Sequence, residues 1–301
     1  MARQVLDQLS AELIAVVVAV TNGEPRVLTI GGGQALPSGP FGSGQRSLQA
    51  GLRAWVEQQT HQPLGYVEQL YTFADSDRAE APGRVISISY LGLAHEATVS
   101  GDGAVWQSWY RYFPWEDHRN GAPDCLAVAI EPALLRWTDT PGRRQRAAVT
   151  FGLDGQPWNE DFSLQRYELL YEAGLVPEWA RRHPGAADAG LPGTAMTLDH
   201  RRILATGIAR LRAKIKYRPV FFELMPPTFT LLQLQQTVEA LAGRRLHKQN
   251  FRRQIDSQSL VEETGETAQG PAGRPAKLFR YRREVELERA AASTRLPVAR
   301  S

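Results

Sequence analysis

A single cysteine, Cys125, stands in a chain of 301 residues. That scarcity excludes an internal disulfide framework and any all-cysteine zinc site, and it suits a reducing cytoplasm. Long apolar runs are missing too: the longest, LIAVVVAV at Leu13 to Val20, is too short to span a bilayer and follows Glu12 with no basic flank. It reads as a buried strand. No secretion or anchoring signal and no internal repeat is evident, so a cytoplasmic chain without a membrane partner is expected. With 22% charged and 43% hydrophobic residues the composition is that of a globular protein, and the length allows two domains with separate cores.

Charge is unevenly spread. Residues 1–198 carry 15 Lys and Arg against 22 Asp and Glu, whereas residues 199–283 carry 17 against 7. A basic C-terminal block of net +10 points to a polyanion, with nucleic acid the leading candidate and a merely solvated basic helix the alternative.

The N-terminal pattern is mixed. Leu13 to Val20, the turn residues Asn22-Gly23 and RVLTI at Arg26 to Ile30 predict a β-hairpin. A Gly/Pro/Ser loop follows, then a helix over about Ser47 to Gln59 with Leu48, Leu52, Trp55 and Val56 on one stripe. GYVEQLYTF at Gly65 to Phe73 and RVISISYLGLA at Arg84 to Ala94 predict two further strands. Between about residues 100 and 195 the reading is weaker: VWQSWYRYFPWEDHRNGAPD is dense in aromatics, which more often build a core or an interface than stack on bases. RRHPGAADAGLPG, from Arg181 to Gly193, reads as a flexible connector.

The C-terminal pattern is sharper. LDHRRILATGIARLRAKIKYRP predicts a helix from Asp199, as N-cap, to about Tyr217, ended by Pro219. A short helix from Leu231 to Leu241 behind Thr230, a Gly243 turn, a second helix from about His247 to Ser257, and two strands joined by a Gly-rich loop form a winged helix-turn-helix pattern. In the second helix Phe251 and Ile255, four apart, must face the core. Lys248, Gln249, Asn250, Arg252 and Arg253 are left for a major groove: Arg suits guanine, Gln or Asn suits adenine, and Lys suits phosphate. Arg274 and Lys277 of the wing are placed to reach a backbone or minor groove.

The loop and helix LPSGPFGSGQRSLQAGLRAWVEQQTH, Leu36 to His61, resemble the Nudix box, G-x5-E-x7-R-E-U-x-E-E-x-G-U with U apolar. Gly39, Gln45 and Arg53 fall at the positions of the G, the first E and the R; Ala54 and Gln58 stand where the pattern has glutamates, Glu57 alone is kept, and Thr60 and His61 replace the final glycine. A hard dication that keeps part of its water shell wants clustered anionic oxygens, so one glutamate makes a poor Mg²⁺ site.

This front end, with YVEQLYTF, LDHRRILATGIARLRAKIKYRP, FTLLQLQQTVEALAGRRLHKQNFRRQI and GRPAKLFRY in order, resembles the NrtR family of Nudix-related regulators of NAD metabolism. The resemblance covers about residues 12–95 and 197–283. It implies an α+β chain: a Nudix-like α/β/α sandwich over residues 1–218 with a central insertion at about 100–195, a winged helix-turn-helix over 219–286, and a tail at 287–301. It further implies a homodimeric repressor that binds double-stranded DNA at an inverted repeat, governs NAD biosynthesis or salvage genes, needs no cofactor and answers to ADP-ribose or a related nucleotide as effector. A sensor needs phosphate-binding groups but no turnover, so neither catalytic nor metal-ligating residues are assigned. Gly39, Arg46, Arg53, Glu57, Phe73 and Arg84 are the candidate ligand-binding residues, with Tyr90 a possible second partner to Phe73 around a base. Arg53 is equally well read as pairing with Glu57 one turn away, and Phe73 and Tyr90 as core. Two alternatives stay open. One is an active ADP-ribose hydrolase that finds further metal ligands among Glu68, Asp75 and Asp77; the other is a scaffold for RNA or an acidic protein.

Overall fold

The computed structural model of the chain describes residues 9–74, 84–183, 185–186, 189–268 and 275–284. Strand β1 (Leu9–Thr21) is the spine of the N-terminal sheet. It runs parallel to β5 (Arg84–Leu93) and turns through Asn22-Gly23 into antiparallel β2 (Glu24–Thr29). Both turn residues hold positive φ, 53° and 74°, which is what a tight two-residue hairpin demands and why Asn-Gly marks it. Short β3 (Ser38–Pro40) pairs with the start of β1, β4 (Tyr66–Phe73) edges β5, and β6 (Val105–Ser108) edges β2, giving the order β4-β5-β1-β2-β6.

Both faces of β1 are covered, which explains its unbroken apolar run. Leu13, Ala15, Val17 and Ala19 pack with Leu52 and Val56 of α1 (Leu48–Thr60). Ile14, Val16 and Val18 face the other way, into the core that holds Ile203, Leu204, Ile208 and Leu211 of α6 (His200–Ile215). The result is a three-layer α/β/α sandwich. Each helix approaches β1 through a glycine: a Cβ on Gly51 would lie 3.0 Å from Leu13 Cδ1, and one on Gly207 2.8 Å from Val16 Cγ1. Ser47 caps α1 by accepting from the Ala50 amide at 3.2 Å. At its other end His61, one residue beyond the position of the box's final glycine, adopts the left-handed conformation, φ 55°, and its ring lies 2.9 Å from the Ser100 carbonyl oxygen. Thr60, at the glycine position itself, is still helical, and its hydroxyl donates to the Val56 carbonyl at 2.6 Å.

The region from 100 to 195 is built into this core rather than appended to it. Trp109, Tyr112, Phe113 and Trp115 are fully buried. After a π-helical turn at Leu126–Ile130 come α2 (Glu131–Trp137), α3 (Pro141–Phe151), α4 (Ser163–Glu172) and α5 (Pro177–Arg182). The stretch read as a flexible connector is partly helical at its start, and Gly193 near its end packs so tightly that a Cβ would lie 2.6 Å from the Tyr112 carbonyl oxygen.

A 3-10 turn at Val220–Leu224 leads to α7 (Leu231–Ala242). Thr230 and Gln233 form a reciprocal capping box, and Gly243 closes the helix with φ 71°. Then come α8 (Lys248–Ser257) and the antiparallel hairpin β7 (Val261–Ala268) and β8 (Ala276–Tyr281), with Phe229 bonded to Phe279 as a third short bridge. This is a winged helix. Among the described residues no helix is long and apolar enough to cross a membrane, and the tail assigned to 287–301 lies outside the described residues.

Because Gly207 leaves no room for a side chain, Gly207→Leu should overpack the contact with Val16 and cost about 1–3 kcal/mol in urea unfolding. A leucine variant as stable as the parent would mean that α6 does not lie on β1 at this distance.

Candidate functional site

The exposed face of α8 is the first component. Phe251 and Ile255 are buried, while Lys248, Gln249, Asn250, Arg252 and Arg253 are all exposed, so the helix is anchored by two apolar residues four apart and offers a cationic, amide-rich surface. What aims α8 is a carboxylate that pattern reading missed. Glu239, near the end of α7, accepts from the Leu246 amide at 2.9 Å, from Gln235 Nε2 at 2.8 Å and from Arg245 Nη1 at 2.9 Å, fixing the turn between the two helices. Burial alone would raise its carboxyl pKa; the amide, Gln235 and Arg245 outweigh that and hold it below the ordinary range. In the wing, Lys277 is exposed but not unpaired: its Nζ bonds both oxygens of Glu263, at 2.8 and 2.9 Å, across the hairpin. Arg274 lies outside the described residues.

The loop preceding α1 and α1 itself form the second component. Gly39 sits under the Trp55 indole, where a Cβ would come within 2.3 Å of the ring, and Trp55 Nε1 donates to the Pro40 carbonyl at 3.0 Å. Gln45 closes the loop on itself by accepting from the Gly42 amide at 3.2 Å. Arg53 does not pair with Glu57: its guanidinium donates to the carbonyls of Leu64 and of Gly65, the latter at 2.8 Å, and so clips α1 to the entry of β4. Two carbonyls converging where the chain reverses are a ready acceptor pair for a planar fork, and this occupies the group first considered for a phosphate. Arg46 and Glu57 are exposed.

Phe73 and Tyr90 are core residues, 4% and 2% exposed, and belong to opposite sides of the sheet: Phe73 joins the α6 side, with Arg202 5.3 Å over its ring, and Tyr90 the α1 side. They cannot flank one base. Arg84 opens β5, and its side chain lies outside the described residues. Of the alternative metal ligands, Glu68 is taken by Lys214 and the Tyr66 hydroxyl, and Asp75 and Asp77 lie outside the described residues. Among the described residues no three His, Cys, Asp or Glu side chains gather to hold a metal.

The third component joins the other two. The carbonyl end of α7 is received by groups of the sandwich: Arg212 Nε donates to Leu241 O at 3.0 Å, the Tyr110 hydroxyl to Ala240 O at 2.8 Å, and the His118 amide to Gly243 O at 2.7 Å. Arg212 is fixed by the Glu116 carboxylate and Ser163 Oγ, and Glu116 also takes Arg166 Nε at 2.5 Å and Nη2 at 2.9 Å. All three charged side chains are fully buried. Burial pushes the Glu116 carboxyl up, but the two guanidiniums overcome it and hold it at about 2. Gly243 must be glycine twice over: it is left-handed, and a Cβ would lie 2.4 Å from Glu116 O. The sequence carried a signal for this cluster, since Arg212 falls four residues after Ile208 on the apolar stripe of α6.

Residues 221–281 match the family described as the NrtR DNA-binding winged helix domain. The C-terminal domain is thus similar to the winged helix of NrtR proteins. Over 87 residues the chain is 40% identical to the ADPR responsive transcriptional repressor NtrR of Acinetobacter baylyi, a match that spans 29% of this chain and about a third, 34%, of that relative. The chain has the fold of Shewanella oneidensis NrtR, solved in complex with a 27mer DNA, with a TM-score of 0.56 over 91% of this chain and 94% of that one at 18% identity. A MutT/nudix family protein from Enterococcus faecalis matches with a TM-score of 0.55 over 94% and 90% at 16% identity. The α+β architecture, Nudix-like sandwich followed by a winged helix, is thus the NrtR fold.

Because the Glu116 carboxyl sits well below its ordinary value of 4.5, its stabilising contribution is complete above that pH and is lost as pH falls towards about 2. Glu116→Gln should flatten this acid limb in a pH series of urea unfolding, while Arg212→Met, which leaves Arg166 to neutralise Glu116 alone, should cost about 3–5 kcal/mol at neutral pH. An unchanged acid limb in Glu116→Gln would contradict the assignment.

Proposed function

We propose that this chain is a repressor of NAD biosynthesis or salvage genes, reading double-stranded operator DNA through α8 and sensing ADP-ribose or a related nucleotide in its Nudix-like sandwich without consuming it. The observation that carries the reading is the exposed face of α8, where five polar side chains, three of them cationic, stand on a helix pinned by Phe251 and Ile255. The NrtR winged-helix match and the name of the Acinetobacter relative support the same partners, DNA and ADP-ribose. In this reading residues 1–218 are the sensor and 219–286 the reader. Two copies act as a homodimer on an inverted repeat in the cytoplasm, with half-sites about one DNA turn apart, roughly 34–36 Å. Arg46 and Glu57, both exposed beside the loop, remain the candidate ligand contacts there, with Gly39 shaping the loop beneath Trp55.

Loss of turnover follows from the same residues. Gln45, Ala54 and Gln58 replace carboxylates, Glu68 is engaged by Lys214, and hydrolysis would destroy the signal. With Mg²⁺ or Mn²⁺ the purified protein should hydrolyse ADP-ribose negligibly, and Glu57→Gln should change little. Multiple turnover at about 1 s⁻¹ or faster would make it an enzyme instead.

Base readers and phosphate clamps separate by mutation. On DNA selected from a random pool, Arg252→Ala or Gln249→Ala should cost roughly 1–3 kcal/mol and relax sequence preference. Lys277→Ala should weaken all sequences alike and reduce the salt slope by about one. Fluorescence anisotropy at several salt concentrations reads all three; unchanged affinity in every variant would show that α8 and the wing are not the reading surface.

A further inference from the structure

A cleft of about 500 Å³ opens between the end of α6, the end of α7 and the inner side of α8. This volume lies within the range of small-molecule sites, roughly 300–1,000 Å³, and the cleft is separate from the loop and α1 considered above. Its apolar lining includes Val238 of α7 and Phe251 and Ile255 of α8. Its rim is cationic. Lys216, Arg218 and Arg244 line it, and the one carboxylate among the lining residues, Glu160, is already held by Lys216 at 3.1 Å and Arg244 at 3.4 Å, while Lys216 also bonds Asp161 just outside the lining at 2.8 Å, so Arg218 carries the surplus charge. Burial would raise the Glu160 carboxyl, yet its own backbone amide, Lys216 and Arg244 bring it below the ordinary range, so it stays charged and spent on those two partners. Arg218 is exposed and makes no ion pair among the described residues. Buried Arg212 at the back is answered by Glu116.

An apolar floor beneath an excess of positive charge selects one ligand chemistry: a flat or compact apolar body bearing a carboxylate, sulfonate or phosphate. We propose that this cleft is a second ligand site, for a small amphipathic anion, wedged between the sensor helix α6 and the recognition helix α8. Such a ligand meets Arg218 at one wall and Phe251, Gln254 or Ile255 at the other, so its binding bridges the two halves of the molecule directly.

The probe is 8-anilinonaphthalene-1-sulfonate, an aromatic anion that fluoresces when it leaves water, titrated into the full chain at low salt. Saturable binding of one equivalent is expected. Arg218→Glu, an exposed change that leaves the fold alone, should weaken it by roughly tenfold, since it reverses a charge a few ångströms from the sulfonate. Val238→Trp, which fills the floor, should abolish it. If the tryptophan variant does not fold, Arg218→Glu decides by itself. Saturating ADP-ribose should leave the dye in place. The proposal is overturned if no saturable binding occurs, as when the cleft is covered by another stretch of the chain or by a second copy. It is equally overturned if Arg218→Glu binds the dye as well as the parent, or if ADP-ribose displaces it.

Discussion

Glu116 has no contact with solvent and is shared between Arg166 and Arg212, and the joint between the two halves of this protein hangs on that sharing. Three ionised groups without water cost several kcal/mol each to desolvate, and their attraction returns this only because nearly every donor finds an acceptor. Arg166 also donates to the carbonyls of Thr150 and Asn159, and Arg212 to Leu241 and Glu160. The cluster therefore specifies an arrangement more than it adds stability. It brings together the aromatic run before α2, the start of α4, the end of α6 and, through Arg212, the carbonyl end of α7. A cation at a helix C-terminus also meets the partial negative charge that the unpaired carbonyls carry. The first helix of the winged domain is thus seated on the sandwich by electrostatics that tolerate little displacement.

In the proposed function, that seating gives the front domain a mechanical route to DNA. α6 lies on the sheet through Gly207, reaches the joint through Arg212 and contacts β4 through Lys214 and Glu68. A shift of the sheet or of α1 that moves α6 must move α7, and α7 aims α8 through Glu239. Packed interiors respond to such shifts by small rigid-body steps rather than by smooth deformation. In a dimer that reads two half-sites, a small rotation at each joint changes the spacing between two recognition helices.

Local signals were legible in the sequence wherever one residue type answers one geometric demand. Asn22-Gly23 fixed the hairpin, Thr230 and Gly243 bounded α7, and Phe251 with Ile255 set the buried face of α8. The Leu13 to Val20 run is legible as a buried strand, whereas the sandwich around it comes from the resemblance to the Nudix pattern rather than from periodicity. Long-range polar partners were not legible. The sequence offers Arg53 a phosphate or Glu57 as partner, yet its acceptors are two main-chain carbonyls, which no side-chain pattern records. Phe73 and Tyr90 sit on strands that run side by side but point to opposite faces, and only the register decides that. Glu116 lay hidden in an aromatic run because its two partners are 50 and 96 residues away.

In the proposed function sensor and reader are coupled through this joint, and linkage makes the coupling reciprocal. The most direct measurement titrates operator affinity by anisotropy with and without saturating ADP-ribose, and ADP-ribose affinity by calorimetry with and without operator. ADP-ribose should weaken operator binding, and operator should weaken ADP-ribose binding by the same factor, about 1–3 kcal/mol in coupling free energy. Operator affinity that stays identical under saturating ADP-ribose, NAD and nicotinamide mononucleotide would show that the front domain does not control the winged helix through these ligands.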